Sequence, residues 1–449
     1  MNVAPLPASL KAQPRLSRWL RLNADGTVVV RTGKVELGQG IGTALAQIVA
    51  GTLGVAMGRI RMQPADTRYS PDEGVTAGSL SVQESGAALR QVCAEARALL
   101  LAEAARRQGV NPQALEVDDG RIGVPGGGKL TTYWELADAG LLEQDATGLV
   151  LPGLSTDGIV GRSEPRLDLP DKIRGLPRFI QDLSLPGQLY GRVVRPPSPA
   201  AQLCAVDWSA VENLPGVVAT VHDGRFLGVV ADSEYAALLA QQKLAAVAQW
   251  QEHASLPDAQ ALPDFLRAQP HETTVYAEHP AAVPLPPTVR QFSASYARPY
   301  LAHASIGPSC ALARATPELL EVWTHSQGVY NLRADLAKML SLPAERIVVQ
   351  HVEGAGCYGH NGADDAACDA VLLARAVPGR PVQVQWSRED ELSWAPLGAA
   401  MAVDLQAGVD AEGRIVHWRH EVWSNGHSMR PGRAARPVLL GATHLEQAG

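Results

Sequence analysis

Residues 346–377 read RIVVQHV–EGAGCYGHNGA–DDAACDAVLLARAV: an apolar β-branched run, a glycine-rich loop, then apolar residues at helical spacing. Gly354, Gly356 and Gly359 match GxGxxG in a strand–loop–helix setting, the form of a dinucleotide-binding turn. Two features weigh against a nicotinamide cofactor. The next strand, Val382 to Trp386 (VQVQW), alternates apolar and polar, whereas a central parallel strand reads apolar throughout. The first acids after it, Glu389 and Asp390, come about thirty residues after Gly359 rather than near twenty. The loop therefore reads as a binding turn of another kind, with an NAD-dependent dehydrogenase kept as an alternative.

The same form occurs near the N-terminus. TVVVRTGKVE (27–36) predicts a strand, followed by Gly38-Gln39-Gly40 and a helix with Ile41, Leu45, Ile48 and Val49 on one face. Helix N-termini expose unpaired N–H groups, so glycines there let an anionic ligand reach the backbone; Gln39 adds an amide. RIRMQPAD (59–66) predicts a second strand. Thr76-Ala77-Gly78-Ser79-Leu80-Ser81 then leads into a helix over about 81–108 and makes a second candidate anion cradle. Ser81 and Glu84 have capping-box spacing. Each of these turns also reads as plain loop or N-cap chemistry. Asp119-Gly120 predicts a hairpin turn. Thr324-His325-Ser326-Gln327-Gly328 places a polar cluster at the end of the strand LLEVW.

Composition bounds the rest. The 449 residues carry a net charge of −7, with scattered basic residues, which argues against a protein that neutralises many nucleic-acid phosphates. Five dispersed cysteines without a CxxC pair exclude a locally spaced zinc or iron–sulfur site and suit a reducing compartment. His271-Glu272 lacks the second histidine of HExxH, and His417 and His420 fall on opposite faces of one strand, so no metal site is expected from side chains. No GxSxG motif occurs. No signal peptide and no apolar run of membrane-spanning length is seen, so a cytoplasmic location is expected, with export alongside a partner left open.

Taken in order, GKVELGQG (33–40), DTRYSPDEGVTAGSLSVQ (66–83), LYGRVVRPPS (189–198), RPYLAHASIGPSCA (298–311), WTHSQG (323–328) and EGAGCYGHNGADD (353–365) resemble one family. It is the molybdopterin-binding large subunit of xanthine dehydrogenase/aldehyde oxidase-type hydroxylases, in its nicotinate dehydrogenase and isoquinoline 1-oxidoreductase-like subgroup. The resemblance implies a multidomain α+β (mixed α/β) fold. Residues 1–145 would be a permuted part of the second molybdopterin-binding domain and 146–176 a linker. Residues 177–275 would be a small a/b hammerhead domain and 276–449 the first molybdopterin-binding domain.

The resemblance also implies a molybdopterin cytosine dinucleotide, with molybdenum held through the pterin dithiolene rather than by side chains. Gly38, Gln39, Gly40 and the loop Thr76, Ala77, Gly78, Ser79 and Ser81 would hold pyrophosphate and pterin. Gly356, Cys357, Tyr358 and Gly359 would approach the metal's ligands, with Cys357 and Tyr358 departing from the family's usual Gly and Phe. Gln327 would hydrogen-bond a metal oxo ligand. The implied activity hydroxylates an N-heteroaromatic or aldehyde carbon with oxygen from water. Electrons would pass to a small 2Fe–2S partner subunit, with a cytochrome c as candidate acceptor. The family's general base is a glutamate in a Gly-Glu-Pro-type motif, and no Gly-Glu pair occurs in this sequence. The sequence thus reads as a fragment, half of a split subunit or a non-catalytic relic, inactive alone.

Overall fold

The computed structural model describes residues 4–150, 158–279, 288–361, 364–426 and 438–447. Strands β1 (Leu20–Leu22), β2 (Val28–Arg31) and β3 (Ile60–Gln63) form a small sheet, β1 antiparallel and β3 parallel to β2. The helices Ile41–Leu53 and Ala87–Gln108 pack together over it around Leu45, Val49, Leu89 and Val92. Gly86 sits where they meet: a Cβ there would lie 2.9 Å from Ile48 Cδ1. One π-helical turn, Val82–Gly86, precedes the long helix. The expected capping box is absent. Ser81 is itself helical and makes no capping bond, and the Glu84 carboxylate instead takes Lys34 Nζ at 2.7 Å. Strands β4 (Glu116–Asp118), β5 (Arg121–Gly123) and β6 (Lys129–Thr132) form a meander. Its first turn is Asp119-Gly120, both left-handed at φ 48° and 74°, as expected for a two-residue hairpin.

The main sheet is built from two distant stretches of chain. The first contributes β7 (Leu189–Val194), β9 (Val217–Asp223) and β10 (Phe226–Ala231); a separate pair, β8 (Gln202–Val206) and β11 (Ala248–Gln251), lies beside them. After β12 (Arg290–Arg298), the second contributes β13 (Cys310–Ala315), β14 (Leu320–Thr324), β15 (Ile347–His351) and β16 (Val382–Gln385). The order is β15-β14-β13-β16-β7-β10-β9. One sheet therefore spans the segments 177–275 and 276–449.

Two sequence readings change here. β16 is central and buried despite its alternating pattern, because Gln383 finds a side-chain partner in Gln188 at 3.3 Å. And β16 does not neighbour β15: β14 and the antiparallel β13 intervene, so the GxGxxG match does not belong to a nucleotide-binding βαβ unit. All ten residues of the helix Asp365–Ala374 are buried. Gly191 and Gly228 make room for its Leu373, which comes within 2.5 and 2.4 Å of where a Cβ would stand. Strands β17 (Met401–Val409) and β18 (Ile415–Ser424) complete a third sheet with β12.

The stretch expected as a linker, of which 151–157 lie outside the described residues, is a strap rather than a free tether. Leu167 N–H bonds Thr43 Oγ1 (3.0 Å) and Arg166 bonds Gly38 O (2.8 Å) on the N-terminal side. Lys172 then pairs with both Asp168 (2.5 Å) and Glu353 (2.6 Å), reaching the end of β15. The Arg166 and Lys172 cations hold Asp168 far below the usual carboxylate range.

Candidate functional site

The two glycine turns have opposite states. At the first, the N–H groups of Gly38, Gly40 and Gly42 donate to the carboxylate of Glu36 at 2.9, 2.8 and 3.1 Å. Gln39 is committed as well: its Oε1 accepts from Leu37 N–H at 2.6 Å and its Nε2 donates to Val35 O at 3.0 Å. The N–H groups of this turn are thus taken up within the chain in this structure. A full negative charge already sits at the positive end of the helix Ile41–Leu53. Beside it lies a cleft of about 490 Å³, lined by Lys34, Arg61 and Arg178 but also by Glu36, Asp168 and Glu353. Its charges balance, so it does not favour an anion.

The second turn meets the loop after β14 and the Thr76 loop. Thr76 is buried and belongs to the framework: its Oγ1 accepts from Val35 N–H, and its own N–H donates to Gln327 O at 2.8 Å. Gln327 Nε2 returns a 2.8 Å bond to Thr76 O, so the two segments clasp each other twice. Ala77, Gly78 and Ser79 are exposed, with Gly78 and Ser79 left-handed, and Ser81 is half-buried. Gln327 N–H donates to Asn361 O (3.2 Å), and Asn361 Nδ2 donates to His325 O and Gly356 O, both at 3.3 Å. Gln327 Nε2 spends one N–H on Thr76 O and keeps a second, while its buried Oε1 has no partner.

The loop itself is tightly fitted on one side and open on the other. At Gly354 a Cβ would lie 2.4 Å from His325 Nδ1, so no side chain fits. Gly356 and Gly359 have φ of 121° and 98°. Cys357 is buried; its sulfur accepts from Gly359 N–H at 3.4 Å, and burial leaves it shielded. Tyr358 is 58% exposed and left-handed at φ 52°, a conformation costing an aromatic residue on the order of 1–3 kcal/mol.

Buried histidines back this junction; the sequence reading placed His325 in the polar cluster after LLEVW but gave His351 and His360 no role. His325 is fully desolvated, which pushes its pKa down to about 3; it is neutral, with Nδ1 3.1 Å from the Asn361 amide. His351 lies between Ser326 O (3.0 Å) and Glu36 O (3.1 Å), linking both turns, and burial lowers its pKa. His360 packs 5.4 Å from His303, ring to ring, and approaches Ser309 Oγ (3.3 Å) and Glu391 (3.4 Å). Asp364 accepts a short hydrogen bond from Thr324 and caps the helix that follows; burial raises its pKa. Gly-His-Asn-Gly (359–362), so polar within an apolar frame, was the one available signal. Among the described residues no three His, Cys, Asp or Glu side chains are grouped to hold a metal ion, and no helix is long and apolar enough to cross a membrane.

Residues 3–159 and 288–445 each match a family described as a molybdopterin cofactor-binding domain, one on either side of the Thr76–Gln327 clasp. The chain belongs to the xanthine dehydrogenase family of molybdopterin-binding subunits. It is 39% identical to a nicotinate dehydrogenase subunit from Pseudomonas putida over 89% of this chain and 34% of that one. It is 26% identical to the beta subunit of isoquinoline 1-oxidoreductase from Brevundimonas diminuta, over 90% of this chain and 58% of that one. The chain thus spans from a third to under three-fifths of the length of these curated relatives. Among solved structures, quinoline 2-oxidoreductase from Pseudomonas putida 86 aligns with a TM-score of 0.46 at 19% identity, over 58% of this chain and 39% of that one.

The cofactor of this family fits the junction on the structure's own terms. Two buried amide oxygens, Gln327 Oε1 and Asn361 Oδ1, have no partner. The Ala77–Ser79 and Tyr358–Gly359 backbones lie open or left-handed beside the residues that clasp. At the Gly38–Gly40 turn the Glu36 carboxylate takes the N–H groups.

Proposed function

We propose that this chain is the molybdenum cofactor-binding part of an oxidoreductase acting on an electron-poor carbon of an N-heteroaromatic or aldehyde substrate. In this reading water is the oxygen source and electrons leave through a 2Fe–2S partner subunit, with a cytochrome c as a candidate acceptor beyond it. The observation that carries the reading is the clasp of Thr76 with Gln327. It joins the two matched domains and leaves buried hydrogen-bonding capacity unused.

When bound, the molybdenum cofactor supplies the two-electron redox chemistry, which no side chain here can. The chain's own residues bind and orient. Gln327 and the Tyr358–Gly359 loop would face the cofactor's reactive end, and Ala77–Ser79 would close over it. Tyr358, exposed and strained, would stack on a flat substrate ring. The segment 177–275 corresponds to the a/b hammerhead, and a cytosine dinucleotide is the cofactor form assigned. The general base is not assigned to any residue here, since no Gly-Glu pair occurs in the sequence.

Metal and pterin analysis tests this. Protein purified with its partner subunits from a host that makes the cofactor should contain molybdenum and an oxidisable fluorescent pterin. It should also reduce an artificial acceptor when given nicotinate, isoquinoline or an aromatic aldehyde. Stoichiometric NAD in place of pterin and metal would overturn the proposal.

A further inference from the structure

A second cleft, of about 690 Å³, shares no lining residue with either glycine turn. It lies where the short helical turn Leu16–Arg18 faces the helix Val329–Leu340. Its walls come from both matched domains: Arg15, Arg18 and Asp72 from one, Tyr330 and Arg333 from the other. Tyr330 already ties the two, since its hydroxyl donates to Ser70 O and to Thr67 O, the latter at 3.4 Å. The three arginines differ in state. Arg15 is spent: its Nε pairs with Asp145 at 2.9 Å and its Nη1 donates to Glu143 O at 2.6 Å. Arg18 is exposed, gives one N–H to Arg68 O at 3.2 Å and meets no carboxylate among the described residues. Arg333 stacks 4.8 Å from the centre of the Tyr330 ring and also makes no ion pair among the described residues. Burial raises the pKa of the Tyr330 phenol, and Arg18 and Arg333 both pull it back down, so the two guanidiniums converge on this ring.

Guanidinium forks with unspent N–H groups are the donors that carboxylates and phosphates take. Charge chooses between these two. Arg15, Arg18 and Arg333 stand against Asp72 and Asp145, an excess of one positive charge. That excess balances a monoanion, whereas a phosphate dianion would overfill it beside two carboxylates. The cleft is also much larger than a carboxylate group and leaves room for an organic body. We propose that this cleft binds an organic monocarboxylate, with the carboxylate held between Arg18 and Arg333. Because those two cations sit on different domains, the ligand would tie the helix that starts beside Gln327 to the N-terminal domain. The site stands apart from the cofactor reading and does not depend on it.

The test is calorimetric titration of the full chain with sodium benzoate, against sodium chloride at equal ionic strength. Wild type should bind benzoate saturably, one per chain. Arg18→Met and Arg333→Met should each weaken binding roughly tenfold or more. Arg375→Met, which removes an exposed charge outside the cleft, should leave it unchanged. Asp72→Asn should tighten binding, because a repelling carboxylate is gone from the wall, and this variant decides the matter if the arginine variants fail to fold. Inorganic phosphate should not displace benzoate. Absent or unsaturable binding in wild type, unchanged affinity in both arginine variants of the cleft, or equal weakening by Arg375→Met would overturn the inference. So would weaker binding by Asp72→Asn, or displacement by phosphate.

Discussion

The turn at Gly38–Gly40 and the turn at Gly354–Gly359 share a form, a strand running through glycines into a helix, yet they end in opposite chemical states. The first is closed by its own chain: Glu36 takes three N–H groups and Gln39 bonds backbone on both sides. The second packs against Gln327 and Asn361, whose buried oxygens have nothing to accept from. Glycine spacing reports that backbone can come close to something. Whether that something is a ligand or a neighbouring carboxylate depends on one residue, two to six positions away.

The largest expected effect comes from filling the second turn. Gly354→Ala drives a methyl into His325 and should destabilise the protein by about 3 kcal/mol or more in urea unfolding. Gly38→Ala meets open space and should cost only left-handed strain, about 1–2 kcal/mol. Equal costs would erase the contrast between the turns.

The buried histidine gives the next effect. His325 has a folded pKa near 3 against about 6.5 when unfolded, so below pH 6.5 the unfolded chain takes a proton the folded one refuses. Its contribution is therefore neutral above that pH and is lost as pH falls, by about 1.4 kcal/mol per pH unit down toward 3. Asp365, pushed up to about 7 by burial, acts in the opposite sense, so the comparison must be between variants. Wild type should lose roughly 2 kcal/mol more than His325→Gln between pH 6.5 and 5. Parallel profiles would show that His325 is hydrated.

Opening the first turn is the third. Glu36→Ala should cost about 1–2 kcal/mol through lost capping and lost charge at the helix N-terminus. The variant should then gain stability from millimolar inorganic phosphate, where wild type gains none. A phosphate response in wild type would mean that Glu36 does not close the turn. Smallest of all, Ser81→Ala should change stability by less than about 0.5 kcal/mol, because Ser81 caps nothing. A full unit lost would restore the capping box.

These contrasts show what the sequence could and could not reveal. The elements were legible because they depend on local spacing: the helix after Gly40, the Asp119-Gly120 turn and the strands β2 and β3 stand where their patterns place them. The main sheet was not, because joining β7 to β16 brings together residues nearly two hundred positions apart. The strap at 159–176 looked featureless because its order comes from charges on other segments, Glu353 above all. Gln327 was legible as a polar residue at a strand end, but its clasp with Thr76 was not, since that partner stands 251 residues away. Asn361 stood in a quoted motif with no role, because an unpaired oxygen is a property of packing and leaves no mark on residue type.

The most direct test of the proposal that cofactor binds at the second turn is pterin content per chain measured side by side in three proteins. Wild type and Glu36→Ala should both carry stoichiometric pterin, and the double variant Gln327→Leu/Asn361→Leu should carry almost none. Retained pterin in the double variant, or its loss in Glu36→Ala alone, would move the cofactor to the N-terminal turn and contradict the account.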